Sequence, residues 1–408
     1  MSANTSNPSI NFEGKWMKNG DYFDMLRFMA SLSRLFSENS IPYLDYRLAE
    51  NLFCKYFNAL NDARSCMAYD ARLGSLGIGI KTFGIPKDSS VEKIAEFNKL
   101  KPELDPLCGY DLAVKLAEFR NERMEIANST YNVTDSIYHI VGRKDNRLVV
   151  FNSPYSKIRI DSISDVKENT TSISFNDGND FYTFNKSKSV LQKKFDLPST
   201  YVDVDVDILD DPLGVLYDLL HPTQRDTKLV TSDNKIAEIK ELPIFKPRIK
   251  GYDYVVLPLF STRGKIQHVP DKSGLNQWNA GGRKRDADEV YIAIPKKIHQ
   301  KYPTFFPARD CPFELQLPDG NILSAKVCQD GSKALMSNPN SALGHWILRK
   351  VLKIPTGNLV TMADLIRFGI DSVLIEDLHT TNSIGQRQYK ISFTNSDYES
   401  FTDFINEE

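Results

Sequence analysis

Two residues in the N-terminal half of this chain, Asp70 and Lys81, have the types and spacing that chemistry on a phosphodiester would need. The segment MAYDARLGSLGIGIKTF places Asp70 at the end of one predicted strand and Lys81 inside the next. Hydrolysis of a phosphodiester needs carboxylates that hold magnesium and a nearby lysine that stabilises the developing negative charge or orients the attacking water. The simpler alternative is a turn aspartate followed by a surface lysine on a strand.

The Asp70 and Lys81 segment resembles the core of PD-(D/E)xK nucleases, in which an Asp follows one strand and a carboxylate and a lysine lie two apart on its hairpin partner. Residues two apart on a strand share a face, so the second acid of the family would stand at position 79, where this chain has Gly79. The family tolerates an acid supplied from a neighbouring helix. The resemblance therefore implies that Glu50, on the preceding amphipathic helix, holds Mg²⁺ together with Asp70. Two acids that follow the hairpin are reserve candidates: Glu92 and Glu96.

The elements that must position these residues are mixed helix and strand. Apolar spacing predicts helices over residues 22–36, 43–60, 91–99 and 110–126. Strands are predicted over residues 65–69, 76–83, 136–141, 148–152, 158–160, 172–175 and 181–184. Arg120 and Arg123 share a face of the last helix, where they could contact phosphate or pair with Glu122 or Glu125. The acidic run over 201–211 is predicted to be an edge strand or an exposed loop.

Charge is distributed unevenly along the chain. Residues 246–353 carry 18 Lys and Arg against 9 Asp and Glu, a balance of +9, within a chain whose net charge is −2. The remaining residues carry 33 basic against 44 acidic side chains. This asymmetry is typical of a protein in which one domain holds a polyanion. A solvated basic face would explain the charge alone, but not the Asn, Gln, Trp and Gly that are interleaved with it.

Two polar turns in this basic region are predicted to be arms that enter a groove of DNA, because amides and guanidiniums form paired hydrogen bonds with base edges and phosphates. Between them, a strand is predicted over 289–295 and a hairpin over 312–327, around Asp319 and Gly320. The candidate DNA-binding residues of the first arm are Asn276, Gln277, Trp278, Asn279, Arg283, Lys284 and Arg285. Those of the second arm are Lys333, Ser337, Asn338 and Asn340.

The order GLNQWNAGGRKR, DEVYIAIPKKIHQKYPTFFP and FELQLPDGNILSAKVCQDGSKALMSNPNSALGHWILRKVL resembles the C-terminal specificity domain of a family of bacterial type II restriction endonucleases. That domain is a β pseudobarrel related to the plant B-three DNA-binding fold. In the family, two arms grip the major groove, which by position implies residues 276–285 and 333–340 here. Which side chain meets which base is not implied, because specificity differs among members.

Length and composition favour a multidomain α+β protein. With 408 residues and 41% hydrophobic content, we expect an α/β restriction-endonuclease-like domain over 1–240 and a β pseudobarrel over 241–408. The N-terminus lacks a secretory signal pattern and no apolar run is long enough to span a membrane, which favours the cytoplasm. Five cysteines without a close pair indicate buried reduced thiols. The sequence contains no GxxxxGK[ST] motif, so we expect no nucleotide cofactor.

These patterns together predict a Mg²⁺-dependent type II restriction endonuclease that cuts double-stranded DNA. The phospholipase D-type nuclease found with some such specificity domains is not favoured, because the His-x-Lys at 299–301 lies in the DNA-binding region without the required downstream Asp. Two alternatives stay open: a non-catalytic, sequence-specific DNA-binding or regulatory protein, consistent with Gly79, and a nuclease that attacks only modified DNA. Because cutting both strands usually calls for two active sites, we expect a homodimer during cleavage.

Overall fold

The structure is a computed structural model that describes residues 8–62, 68–220, 251–263 and 266–395. The predicted domain boundary near residue 240 and Cys66 lie outside these residues. A π-helix spans His345–Val351, and the α-helices are α1 (Pro8–Trp16), α2 (Gly20–Ser31), α3 (Tyr46–Phe57), α4 (Lys101–Leu104), α5 (Gly109–Tyr131), α6 (Pro212–Leu220), α7 (Lys296–Lys301), α8 (Ser341–Gly344) and α9 (Met362–Phe368). Within the described ranges, none of these helices combines the length and apolar character needed to cross a bilayer.

The strands follow in chain order. They are β1 (Leu60–Asn61), β2 (Ala71–Leu73), β3 (Leu76–Gly84), β4 (Ser89–Glu96), β5 (Asp135–Lys144), β6 (Arg147–Pro154), β7 (Ser164–Glu168), β8 (Ser172–Asn176), β9 (Phe181–Asn185), β10 (Val190–Asp196), β11 (Val202–Asp205), β12 (Tyr254–Pro258), β13 (Ser261–Arg263), β14 (Ile266–His268), β15 (Ile292–Ala293), β16 (Pro312–Gln316), β17 (Ile322–Cys328), β18 (Ala334–Asn338), β19 (Ser372–Thr381) and β20 (Arg387–Thr394).

The N-terminal strands form two sheets. The first has the order β1-β2-β3-β5-β6-β11, in which β3 and β5 run parallel and the other neighbours antiparallel. The parallel pair needs a long crossover, which passes through β4 and α5. Helices α1, α2 and α3 cover one face, where Trp16, Phe53, Ile78 and Ile80 are buried together. The second sheet, β4-β10-β9-β8-β7, is antiparallel, and its apolar face packs on α5.

The C-terminal strands form one strongly curled sheet of the order β12-β19-β20-β16-β17-β18-β15. Its first and last strands, β12 and β15, approach each other, so the sheet is nearly closed around a core that includes Phe313, Leu335, Trp346 and Tyr389. Such near-closure is the geometry of a barrel, in agreement with the predicted pseudobarrel. The predicted hairpin is confirmed, with β16 and β17 paired antiparallel and Gly320 at φ +87° in the turn.

Most predicted N-terminal elements are confirmed, and two are wrong. Residues 91–99 form β4 and a 3-10 turn instead of a helix, because β4 pairs with β10 about a hundred positions later and tertiary pairing overrides local propensity. Residues 158–160 form no strand. The predicted strand over 65–69 lies partly outside the described residues, and the strand that pairs with β3 begins only at Ala71. The acidic run is confirmed as an edge strand, β11, at the end of the first sheet.

The thiols are less buried than predicted. Cys54 is half-buried, Cys108 and Cys311 are exposed, and Cys328 is buried. All four are free in the described part of the chain.

Candidate functional site

Asp70 lies directly before β2, so it precedes a strand where the sequence predicted that it would end one. Its backbone N–H donates to the Ile78 carbonyl at 2.9 Å, and its Oδ2 accepts a hydrogen bond from the Ile80 N–H at 2.7 Å. Burial raises the pKa of the Asp70 carboxyl, while the Lys81 charge and the Ile80 hydrogen bond act in the opposite direction. The β2–β3 hairpin thus holds this carboxylate beside the strand that carries Lys81.

Glu50 reaches the same place from α3. The helix buries Ala49, Leu52 and Phe53 against the sheet, and Glu50 itself is only 5% exposed. Its Oε2 accepts a hydrogen bond from Arg47 Nη1 at 3.2 Å. Burial and then the negative charge of Asp70 raise the pKa of Glu50 to about 7, against the lowering influence of Arg47 and Lys81. The structure therefore brings Glu50, Asp70 and Lys81 within electrostatic reach of one another.

Packing explains why position 79 carries no acid. A Cβ added at Gly79 would lie 2.9 Å from ring atoms of both Tyr138 and Tyr155. These two rings stack on each other with centroids 4.0 Å apart and an interplanar angle of 10°. Gly79 and Lys81 share a face of β3, so the tyrosine pair fills the space into which a side chain at position 79 would project.

A cavity of about 210 Å³ opens in front of this hairpin. Its lining includes Asp70, Gly79, Lys81, Arg120, Arg123, Tyr138, Tyr155 and, from α9 of the C-terminal part, Phe368. The charged groups in the lining are three cations and one carboxylate. The cavity therefore has a net positive character that suits an anion.

The donor set for a metal ion is small. Within the described ranges, no cluster of three or more His, Cys, Asp or Glu side chains is placed to hold an ion. Mg²⁺ does not require such a cage, because it is often held by one or two carboxylates and completes its shell with water and substrate phosphate. Glu50 and Asp70 are buried carboxylates, and carboxylate oxygens are the donors that Mg²⁺ prefers.

The reserve acids and the helix arginines are placed differently from the prediction. Glu92 accepts a hydrogen bond from Ser90 Oγ and Glu96 pairs with Lys93 at 2.5 Å, both on β4 and outside the cavity lining. The α5 arginines donate to backbone carbonyls, Arg120 to Ser156 O at 2.8 Å and Arg123 to Glu96 O at 2.7 Å. The neighbouring glutamates pair with C-terminal or loop cations: Glu122 with Arg367, and Glu125 with Lys157 and Lys353.

The first predicted arm begins with a 3-10 helix, Gly274–Asn279. Asn276 is fully buried, and its amide donates to Pro270 O and Val360 O and accepts from Val360 N–H at 2.9 Å. The prediction that Asn276 contacts DNA is therefore wrong in this conformation, since all of these groups are used within the protein. Gln277 and Trp278 are half-buried, with Trp278 packed against the core, and Asn279 is exposed.

The basic end of the first arm is organised by a buried glutamate. Glu289 accepts a hydrogen bond from Arg283 at 2.5 Å and lies 3.5 Å from Arg285. Arg285 is largely buried and donates to Gly281 O at 2.7 Å, so it shapes the arm. Arg283 is 54% exposed and Lys284 is exposed. These two cations remain accessible to a polyanion.

The second predicted arm is largely a strand. Residues Ala334–Asn338 form β18, and Ser337 is fully buried, where its hydroxyl donates to Pro339 O and accepts from Leu343 N–H. Ser337 is therefore unavailable to DNA, contrary to the prediction. Lys333 and Asn338 are exposed at opposite ends of β18, roughly 17 Å apart along an extended strand. Asn338 and Asn340 form the exposed end.

A set of contacts joins the exposed end of the second arm to the base of the first. Arg349 on the π-helix donates to Asp288 Oδ1 at 2.7 Å and to Ala287 O at 3.0 Å. Gly344, at the end of α8, packs so closely that a Cβ there would lie 1.8 Å from Asp288 O. The sequence did not predict these contacts, because Arg349 and Gly344 lie about sixty positions from Asp288.

Comparison with known proteins bears on the C-terminal part alone. No curated protein matches the chain. Residues 255–378, which run from β12 into β19 and include both arms, match the family model of the NgoFVII C-terminal B3-like DNA-binding domain. The C-terminal part of this chain is thus similar to a B3-like DNA-binding domain of a family found in restriction enzymes.

Proposed function

We propose that this protein is a Mg²⁺-dependent endonuclease of a restriction system, which reads double-stranded DNA with its C-terminal domain and hydrolyses phosphodiester bonds at the N-terminal site. The observation that supports this most strongly is the convergence of Glu50, Asp70 and Lys81. They come from three different segments, yet Asp70 and Lys81 both shift the pKa of Glu50, and Lys81 also shifts the pKa of Asp70. A buried carboxylate whose pKa is shifted by burial and by a nearby charged group is a candidate for a functional site.

The three residues have distinct roles in this proposal. Asp70 and Glu50 would hold the ion, which when bound polarises the phosphate and makes the attacking water more acidic. Lys81 lines the cavity, where its ammonium group would stabilise negative charge on the phosphate oxygens. The Ile80 N–H keeps the Asp70 carboxylate oriented toward β3, so little reorganisation is needed when substrate arrives.

The exposed side chains of the two arms would supply recognition. Arg283, Lys284, Asn338 and Asn340 are exposed, so they could reach base edges or phosphates. Asn276 would support them indirectly, because its buried amide ties the first arm to Val360. The basic balance of this region would add sequence-independent attraction.

The second candidate function is a DNA-binding protein that does not cut. Gly79 favours it, because tyrosine rings occupy the space of the second family carboxylate and the described residues contain no three-ligand cluster. The same features are compatible with an ion held by Glu50 and Asp70.

Digestion of plasmid DNA separates these functions. Wild-type protein with Mg²⁺ should give discrete fragments, whereas Asp70→Ala and Lys81→Ala should leave the plasmid intact and retain sequence-dependent gel shifts. Parallel digestion of methylated plasmid would reveal a nuclease that requires modified DNA. Binding without cutting of either substrate by the wild type would favour the non-catalytic protein. Sedimentation with and without DNA would test the homodimer that cutting of both strands calls for.

A further inference from the structure

We infer that Arg120 forms a phosphate-binding subsite in the cavity beside Lys81. This inference rests on the proposed function only for the identity of the anion, since the site itself is defined by the geometry of Arg120. The residue lies in the middle of α5, is 3% exposed, and lines the same cavity as Asp70 and Lys81.

Arg120 differs from the other buried cations of the described residues in having no carboxylate partner. Arg72 pairs with Asp62, and Lys193 pairs with Asp180 at 2.8 Å. Arg120 instead donates to Ser156 O at 2.8 Å, to Met124 Sδ at 3.0 Å and to Tyr138 Oη at 3.4 Å. All three of these partners are neutral.

The guanidinium also retains unused donor capacity. Its Nε is buried without a hydrogen-bond partner, and its Cζ lies 5.3 Å from the centroid of the Tyr155 ring. A buried cation that lacks a counter-ion costs folding free energy, so its presence beside a cavity indicates that an anion enters there. Guanidinium binds phosphate oxygens with paired hydrogen bonds.

The tyrosine pair connects this subsite with the missing acid at position 79. Because Gly79 has no side chain, Tyr138 and Tyr155 stack against β3, and Arg120 lies against the same rings. Two tyrosine rings and the Arg120 guanidinium therefore line the part of the site where a carboxylate at position 79 would lie. The cavity of about 210 Å³ is much larger than the space that one water molecule needs, which leaves room for a phosphate group next to Lys81.

Binding measurements on the full chain in EDTA test the inference without requiring cleavage. The probes are inorganic phosphate and the dinucleotide d(TpT), titrated calorimetrically into wild type, Arg120→Gln and Arg120→Lys. We expect Arg120→Gln to weaken binding by about tenfold or more, as for a lost charge-assisted hydrogen bond. Arg120→Lys should bind at an intermediate level, because it keeps the charge but loses the fork. The matched control is Lys157→Gln, which removes an exposed α5-facing cation paired with Glu125.

The outcomes distinguish the source of the anion and the fate of each proposal. Weakened d(TpT) binding supports a DNA phosphodiester as ligand, and weakened binding of inorganic phosphate alone supports a free phosphate. Wild-type affinity of both Arg120 variants for both probes would overturn the inference; if Arg120→Gln does not fold, Arg120→Lys decides. Plasmid cleavage by wild type together with Arg120-independent binding would leave the proposed function standing without this subsite. Arg120-dependent binding without any cleavage would support the phosphate subsite and contradict the proposed nuclease function.

Discussion

Replacing Glu50 with glutamine should stabilise the folded protein above pH 7 while it removes a carboxylate that the proposed ion site needs. Glu50 is 5% exposed, and burial together with the Asp70 charge raises its pKa from 4.5 to about 7. Arg47, its ion-pair partner, is 45% exposed, so water can solvate the guanidinium when the carboxylate is gone. Glutamine keeps the shape of the side chain and an oxygen that can accept the Arg47 hydrogen bond.

The sign and size of this effect follow from proton linkage. Between pH 4.5 and pH 7 the folded protein holds a proton on Glu50 that the unfolded chain has lost, so stability falls as pH rises through this window. At about 1.4 kcal/mol for each pH unit, the loss reaches roughly 3 kcal/mol above pH 7. Glu50→Gln should therefore be more stable than wild type by up to about 3 kcal/mol at pH 8, and equal to it near pH 4.5.

Urea unfolding in EDTA at pH 4.5, 6 and 8, followed by circular dichroism, measures this difference. The control is Glu38→Gln, which changes an exposed glutamate and should shift stability by less than about 0.5 kcal/mol at every pH. Added Mg²⁺ should stabilise wild type at pH 8 more than Glu50→Gln. A variant that is less stable than wild type at pH 8, or a difference that does not depend on pH, would refute the reasoning.

Three further changes test the hairpin and the arms. Gly79→Ala should cost about 1–3 kcal/mol in urea unfolding because it presses on two tyrosine rings, whereas Gly84→Ala on the same strand has open space; equal effects would contradict this packing. Asn338→Ala should weaken specific DNA binding in gel shifts by about 1–3 kcal/mol if the amide contacts a base. Asn276→Ala should lower thermal stability instead. The reverse pattern would mean that Asn276 contacts DNA and Asn338 stabilises the fold. Lys284→Ala should reduce the slope of log affinity against log salt by about 1, and an unchanged slope would exclude a phosphate contact.

Local signals in the sequence predicted the elements that depend on neighbouring residues. The Asp319–Gly320 turn indicated the β16–β17 hairpin, and apolar spacing over 110–126 indicated the long helix α5. The strand that carries Lys81 was also predictable, since apolar residues alternate with small ones along it. These features need no knowledge of distant contacts.

Long-range contacts decided the features that the sequence did not reveal. The helix-like pattern at 91–99 became β4 because β10 supplies its hydrogen bonds. Asn276 has the chemistry of a base-reading amide, yet its partner Val360 is 84 positions away. Arg120 has the spacing of a surface arginine, but Ser156 and Tyr138 enclose it. For Asn276 and Arg120, the residue type indicated the chemistry, but the sequence did not show that the side chain is buried.

The most direct test is cleavage of a duplex that the protein itself selects. Full-length Asp70→Asn, in Ca²⁺, would be used to enrich bound sequences from a random double-stranded pool, and the enriched duplex would then be incubated with Mg²⁺ and each protein. We predict that wild type cuts this duplex at fixed positions near the bound sequence, whereas Asp70→Asn binds it and leaves it intact. Tight binding by both proteins with no strand cut by either would contradict a nuclease site at Glu50, Asp70 and Lys81.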